Sequence, residues 1–387
     1  MEPFIEKIYA EPGALKWPMA QRLREIFPPE KWEQVEPEVA KNILSEISLS
    51  QGKKILYLTE AKGNVVKPCP GTSSPYLCCR YMILNPQIQC PMDCTYCILQ
   101  NYLDFPVLTL HVNFGLIFQE LDTWLEKSPS RIFRFGTGEL ADSLALDSLI
   151  PLSQDLLANF ANRKNALLEL KTKTDCIENI LQSSFRRAVI SWSVNPPPVI
   201  ESEEYGTADL EARLRSAEDC VKAGFLIGFH FDPILAIPHF EKAYSDLVNQ
   251  IFDRIPPSRI AWISLGSLRF PPALKSVAEA RFPHTRIFYE EMIRGLDGKM
   301  RYIKPLRLEL YKSVYQAIWK QARNVFVYFC MESPDVWEKV MGKVPRSNAE
   351  LDFWFAQSLY RRFPELEFPE PHWESYESLC GIEPASS

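Results

Sequence analysis

The stretch Gln89-Cys90-Pro91-Met92-Asp93-Cys94-Thr95-Tyr96-Cys97-Ile98-Leu99 decides how the rest of the chain is read. It follows an apolar run, Tyr81–Gln89, and spaces three thiols as C-x3-C-x2-C. Disulfides explain so tight a group poorly in a chain whose start shows no basic-then-apolar leader pattern. Three thiols are also one ligand short of a closed four-cysteine site. A cluster held by three thiolates leaves one iron open to a small molecule. A structural zinc knuckle and a ferredoxin-like site are the competing readings, but the ferredoxin run C-x2-C-x2-C-x3-C is absent here.

The chain of 387 residues is long enough for one large α/β domain with additions, or for two domains. Its hydrophobic content of 46% and aromatic content of 12% suit a sizeable buried core. No run approaches the roughly 18 apolar residues of a membrane helix, so no membrane partner is expected and the location expected is cytoplasmic. Thiols stay reduced there, which an oxygen-sensitive cluster needs. Seven further cysteines scatter outside the triplet: Cys69, Cys78, Cys79, Cys176, Cys220, Cys330 and Cys380. They read as small buried hydrophobes. A net charge of −6 gives no global signal for nucleic acid, so any such surface must be a local patch.

Working outward, short β-branched and aromatic runs alternate with stretches of helical period. The expected strands are Tyr81–Gln89, Ile132–Phe135, Leu167–Leu170, Ala188–Val194, Phe225–Phe231 and Ile260–Ser264. Helical stretches follow at Phe114–Glu126, Leu146–Asn162, Asp175–Gln182, Ala208–Ala223 and Glu241–Arg254. Alternation of this kind predicts βαβ units on a parallel sheet, with ligands at the C-terminal ends of the strands. Three regions are expected: a helical flanking segment over 1–80, the strand–helix region over 81–270, and a mixed α/β extension over 271–387. The extension carries a helix near Leu308–Arg323 and a strand at Val325–Met331; the final Glu383–Ser387 is expected to fray.

Polar residues gather at the predicted strand ends. After the second strand, Gly136-Thr137-Gly138-Glu139 combines glycines that admit a ligand to the backbone with a carboxylate that can accept from an ammonium group; a plain turn is the bland alternative. Lys171 and Lys173 end the third strand, where a lysine can pair with a carboxylate or simply be solvated. Ser193 and Asn195 end the fourth and fall on one face, placed for sugar hydroxyls or for a strand-ending Asn-Pro turn. His230 and Asp232 alternate onto one side of the fifth and need partners there, either a substrate or structural hydrogen bonds.

Taken together, the triplet with Tyr96 before its third cysteine resembles the signature of radical S-adenosylmethionine enzymes. Further stretches resemble spore photoproduct lyase and its relatives. They are Lys7-Ile8-Tyr9-Ala10-Glu11-Pro12-Gly13-Ala14-Leu15, Cys97-Ile98-Leu99-Gln100-Asn101-Tyr102-Leu103, Val112-Asn113, Lys173, Ser193-Val194-Asn195, and Gly298-Lys299-Met300-Arg301-Tyr302. Their order is kept over most of residues 5 to 310. The resemblance implies an α/β partial (β/α)6 barrel with N-terminal helical and C-terminal mixed extensions. It implies a 4Fe-4S cluster on Cys90, Cys94 and Cys97, with S-adenosylmethionine on the open iron. Tyr96, Gly136, Thr137, Gly138, Glu139, Lys173, Ser193 and Asn195 would then bind that cofactor. An external one-electron reductant of flavodoxin or ferredoxin type is implied, as is repair of a thymine photoproduct in DNA.

One departure stands out. The family carries a hydrogen-donating cysteine shortly after its second strand, and Glu139 falls in that place; no cysteine occurs between Cys97 and Cys176. Cys330, Tyr96 and Tyr302 are the candidates to finish the radical instead. His230, Asp232, Arg301 and Lys304 are the candidate substrate contacts, the last two within a basic segment with Arg294, Lys299 and Arg307. A peptide, RNA or small-metabolite substrate remains open, as does a non-catalytic iron–sulfur electron-transfer protein.

Overall fold

The computed structural model describes residues 4–73 and 75–377; Cys380 and the Glu383–Ser387 tail lie outside them. A curled, open sheet forms the centre. In spatial order its strands are Val327–Phe329, Ile260–Ser267, Leu226–Ile234, Ala188–Ser193, Ala166–Thr172, Phe133–Gly136, Met82–Leu84 and Val66–Pro68. All neighbours pair in parallel except the last, an antiparallel edge strand. Ala188–Ser193 and Ile260–Ser267 are buried along their whole length. Helices cover the outer face and side chains fill the inner one, which is why these strands read as continuous apolar runs and not as alternating ones.

The helices fall where the period places them: Phe114–Lys127, Leu152–Phe160, Glu178–Gln182, Leu210–Lys222 and Phe240–Arg254. The second is shorter than the expected Leu146–Asn162 because residues 146–150 form turns, and the third starts late because Asp175 and Cys176 belong to the loop that turns out of the strand. Leu210–Lys222 starts where it does because the Asp209 carboxylate accepts from the Ala212 amide. Such a cap is worth about 1 kcal/mol.

Two features depart from the sequence reading. Residues 1–80 hold helices at Pro18–Ile26, Pro37–Ser45 and Leu49–Gly52 but also, besides the edge strand Val66–Pro68, the strands Lys7–Ala10, Trp32–Gln34 and Ile55–Thr59. These join Leu108–His111 and Gln87–Ile88 in a separate five-stranded sheet with its own core around Ile8, Leu23, Phe27, Leu56 and Leu110. The run Tyr81–Gln89 is therefore not one strand. Asn85-Pro86 breaks it, Met82–Leu84 entering the barrel sheet and Gln87–Ile88 the N-terminal one. Proline cannot donate to a ladder, so the chain changes sheet there. The second departure is at the far edge. The expected strand in the C-terminal extension, Val327–Phe329, pairs with Ile260–Ser267 and gives the barrel sheet a seventh parallel strand.

Candidate functional site

The cysteine loop hangs between the two sheets at the C-terminal ends of the barrel strands, and several distant segments grip it. Asp93–Cys94 pairs antiparallel with Glu204–Tyr205. Glu203 accepts from Thr95 Oγ1 at 2.5 Å and from Thr285 Oγ1 at 2.7 Å. Lys53 reaches from the N-terminal segment to Asp93 at 2.6 Å and to the Met92 carbonyl. Arg281 meets the same carboxylate at 2.7 Å and Gln100 Oε1 at 2.5 Å, while Gln100 donates to the Thr95 carbonyl at 2.9 Å. Burial alone would raise Asp93, yet Lys53 and Arg281 bring it below its ordinary value.

Beneath the loop lies Glu204, fully buried and surrounded by donors. Tyr96 Oη, Asn195 Nδ2 at 2.9 Å and Arg213 Nη2 at 2.7 Å all point at it, with Lys173 Nζ at 3.8 Å. Burial pushes its carboxyl up, but Lys173, Arg213 and these hydrogen bonds override that and bring it down to about 2. Lys173 also sits 5.7 Å above the Tyr96 ring.

A cavity of about 310 Å³ opens at this end of the barrel. Its wall on the loop side carries Cys90, Cys94, Tyr96 and Cys97; Gly138, Glu139, Lys171, Lys173 and Ser193 follow at successive strand ends; Asp232, Arg269 and Lys299 close the other side. Burial pushes the Cys90 thiol up to about 12 and raises Cys94 and Cys97 too. These sulfurs therefore need a positive partner to ionise. Among the described residues no three His, Cys, Asp or Glu side chains converge as ligands of a single metal ion. Glu139 is held above its ordinary value by burial, opposed by Lys67 and by the Asn85 amide at 3.4 Å.

Other sequence-predicted residues stand elsewhere. Gly136 lies inside the barrel, where a Cβ would collide with the Tyr81 hydroxyl, so its glycine serves strand packing. Thr137 is buried and donates to Ser143 Oγ at 2.8 Å. Asn195 spends its amide on Glu204 and accepts from Tyr244 Oη at 3.0 Å. His230 is inside the barrel, between Glu169 Oε1 at 2.7 Å and Ser264 Oγ at 2.7 Å. Burial would raise Glu169, but His230 and Ser191 draw it down to about 2. His230 and Asp232 thus part company: one closes a buried network, the other faces the cavity. Asp232 forms a two-pronged pair with Arg269 at 2.9 and 3.0 Å, and Arg269 Nη2 donates to Cys330 Sγ at 3.2 Å.

The basic segment does not form one exposed stripe. Arg301 is buried against Asp297 at 2.7 Å and stacks on Tyr76 at 4.2 Å; Arg307 is buried against Glu332 at 3.2 Å. Tyr302 is fully buried and accepts from the Ala236 amide. Lys304 is on the surface, paired with Asp335 at 3.0 Å. Only Lys299 of that segment lines the cavity among the described residues. Sequence reading missed Arg269, Glu204 and Arg213. Arg269 lies past the last expected strand and Glu204 in a short bridge, and neither belongs to a local motif.

A family model for spore photoproduct lyase matches residues 4–327. The spore photoproduct lyase of Geobacillus sp. (strain Y412MC61) is 26% identical over 339 residues, covering 84% of this chain and 94% of that protein. The spore photoproduct lyase of Bacillus subtilis (strain 168) is 24% identical over 328 residues, covering 81% and 91%. Among solved structures, a mutant spore photoproduct lyase with bound AdoMet and dinucleoside spore photoproduct is similar with a TM-score of 0.75 at 23% identity, covering 84% of this chain and 99% of that one. Its likeness shows the same curled parallel half-barrel. From the extent of the family match, the chain belongs to the spore photoproduct lyase family.

Proposed function

We propose that this chain is a radical S-adenosylmethionine enzyme that acts on a DNA photolesion. One observation carries the reading: the cysteine triplet, Gly138-Glu139, Lys173 and Ser193 line one cavity at the C-terminal ends of the barrel strands. The donor set suits a 4Fe-4S cluster held by Cys90, Cys94 and Cys97, because three thiols and no imidazole stand on that wall. With S-adenosylmethionine bound and an electron from a flavodoxin- or ferredoxin-type donor, such a cluster supplies a 5′-deoxyadenosyl radical.

The chain's own residues then bind and orient. Glu139, on the cavity wall, accepts hydrogen bonds from an amino group. Lys173 and Lys171 offer cations to a carboxylate, Lys173 held near its post by Glu204 and the Tyr96 ring. Ser193 is the hydroxyl nearest to hand for a ribose. Arg269 and Lys299 face the substrate side, where Asp232 fixes the guanidinium plane. A solved relative holds a dinucleoside spore photoproduct, and we assign the same lesion class to this cavity. Tyr96 and Tyr302 are the weaker candidates to finish the radical, since the Tyr96 hydroxyl is engaged with Glu204 and Tyr302 is buried near Ala236. Cys330, beside Arg269, is the stronger.

Anaerobic reconstitution with iron and sulfide, then dithionite and S-adenosylmethionine, tests the chemistry: 5′-deoxyadenosine must appear. Without it the enzyme reading fails and an electron-transfer role takes its place. Binding to irradiated against plain oligonucleotides over a salt series tests the substrate. Glu139 in place of the family's thiol favours a second reading, a different substrate. Failure to distinguish the irradiated strand, with 5′-deoxyadenosine still formed, would select it.

A further inference from the structure

Four cysteines that the triplet does not use meet behind the substrate side of the cavity. Cys69 follows the edge strand Val66–Pro68, and its amide donates to the Tyr81 carbonyl at 2.8 Å. Cys78 and Cys79 come from the segment that returns into Met82–Leu84, and both are buried. Cys330 ends the seventh barrel strand, its amide bonded to the Leu265 carbonyl at 2.9 Å. The Cys78 thiol is in hydrogen-bond contact with the sulfurs of Cys69 and Cys79. A Cβ at Gly71 would lie 3.3 Å from Cys78 Sγ and 3.1 Å from Met331 Sδ, and Met331 is part of the cavity wall. Arg269, also on that wall, donates to Cys330 Sγ at 3.2 Å. Segments far apart in sequence thus bring these thiols to one place behind the cavity wall that Arg269 and Met331 form.

We propose that Cys330, backed by Cys69, Cys78 and Cys79, is the hydrogen-atom source that ends the substrate radical in this chain. The proposal rests on the radical S-adenosylmethionine reading above. A hydrogen-atom donor must hold an S–H bond, and the surroundings keep two of these thiols protonated. Burial pushes Cys330 up to about 12 against the opposing charge of Arg269. Cys78 is raised by its contacts with Cys69 and Cys79 and by burial. Cys79 is drawn the other way, by the bond from Cys78 and then by Arg134, so it acts as acceptor inside the array.

The step balances without an added oxidant or reductant. The S–H bond of Cys330 breaks and a C–H bond forms on the product radical, leaving a thiyl. That sulfur recovers a hydrogen atom from the 5′-methyl group of 5′-deoxyadenosine. The methyl C–H bond breaks as the S–H bond re-forms. The 5′-deoxyadenosyl radical so re-formed would rejoin methionine as S-adenosylmethionine and return its electron to the cluster, so no net electron is consumed and Glu139 never has to do a thiol's work.

Thiol protons exchange with solvent, so the test is turnover of the reconstituted protein on dinucleoside spore photoproduct in D2O. Expected is product carrying one solvent deuterium at the released methyl carbon. In Cys330→Ser the labelled product falls at least about tenfold while 5′-deoxyadenosine is still released, since a hydroxyl O–H is too strong to donate. Product free of deuterium in the wild type overturns the proposal. So does labelled product at undiminished yield in Cys330→Ser together with Cys78→Ser. A readout independent of turnover is phenylarsine oxide, which bridges neighbouring thiols. Loaded on the cluster-bearing protein, it is expected to join peptides holding Cys69, Cys78 or Cys79; arsenic found on none of the four overturns the array. Absence of 5′-deoxyadenosine when the reconstituted protein is reduced with S-adenosylmethionine and no lesion overturns the radical reading and the donor role with it, whereas its presence there with unlabelled product on the lesion overturns the donor role alone.

Discussion

The wall of the cavity that carries Cys90, Cys94 and Cys97 is gripped from several directions, whereas the wall that carries Asp232, Arg269 and Lys299 is held by its own charge pairs. On the first wall, Lys53, Arg281, Glu203 and Glu204 reach the loop from segments before and after it, and Arg213 and Asn195 fix Glu204 in turn. On the second wall, Arg269 pairs with Asp232 and donates to Cys330. The difference teaches which task each wall serves. A loop that presents three thiols to a cluster has to keep one geometry, so rigid buried partners suit it. A wall that meets a substrate changes with the chemistry, and here a thiol, Cys330, lies behind Arg269 on it.

The comparison breaks most sharply at the triplet itself. Cys94→Ala is expected to abolish the brown chromophore and to drop 5′-deoxyadenosine below detection. Iron retained at the wild-type level would refute the ligand assignment. Next comes the charge beneath the loop. Arg213 and Glu204 are both fully buried and 2.7 Å apart. Arg213→Ala leaves that buried carboxylate without its nearest cation, and urea unfolding is expected to show a loss of about 3–5 kcal/mol. A loss no larger than that of an exposed pair would show that Lys173, Asn195 and the Tyr96 hydroxyl can hold Glu204 without it.

Acid tests the same wall. The Glu204 carboxyl titrates at about 2 in the folded protein against an ordinary value of 4.5. Its depressed value means the stabilisation is fully present above 4.5 and drains away as pH falls towards 2. The shift corresponds to about 3 kcal/mol as an upper figure. Glu204→Gln is therefore expected to be less stable than wild type at pH 7 and to lose less between pH 4.5 and 2. Parallel curves for the two proteins in urea melts across that window would sink the assignment. On the opposite wall the effect is smaller and is read in chemistry. Asp232→Asn frees one prong of the Arg269 pair and is expected to lower product formation about tenfold, roughly 1.4 kcal/mol, with uncoupled 5′-deoxyadenosine release unchanged. Equal falls in both would move Asp232 to the cofactor side.

How much of this was legible in sequence follows from the same contrast. Gly138-Glu139, Lys173 and Ser193 sit at the ends of strands whose apolar runs announce them, and the triplet is marked by its own spacing, so contiguous pattern sufficed. His230 and Asn195 share that pattern yet turn into the buried interior, because alternation fixes which face a residue takes but not whether partners such as Glu169 and Glu204 await it there. Lys7–Ala10 and Trp32–Gln34 are too short for any period to register. Arg269 and the pairing of Val327–Phe329 with Ile260–Ser267 depend on long-range contacts that local pattern does not carry.

The basic segment offers the finest distinction between the walls. By sequence, Arg301 and Lys304 are equal candidates for phosphate contacts. In the fold, Arg301 is locked between Asp297 and the Tyr76 ring, while Lys304 lies on the surface against Asp335. An exposed pair of this kind contributes little to stability. Lys304→Ala is accordingly expected to leave the urea midpoint where it was. If the lysine leaves Asp335 for a phosphate when DNA binds, the slope of log affinity against log salt for an irradiated oligonucleotide should shrink by about 1, uniformly across sequences. An unchanged slope would confine the substrate-facing charge to Lys299 and Arg269 at the cavity, and would mark the outer surface of this segment as scaffold.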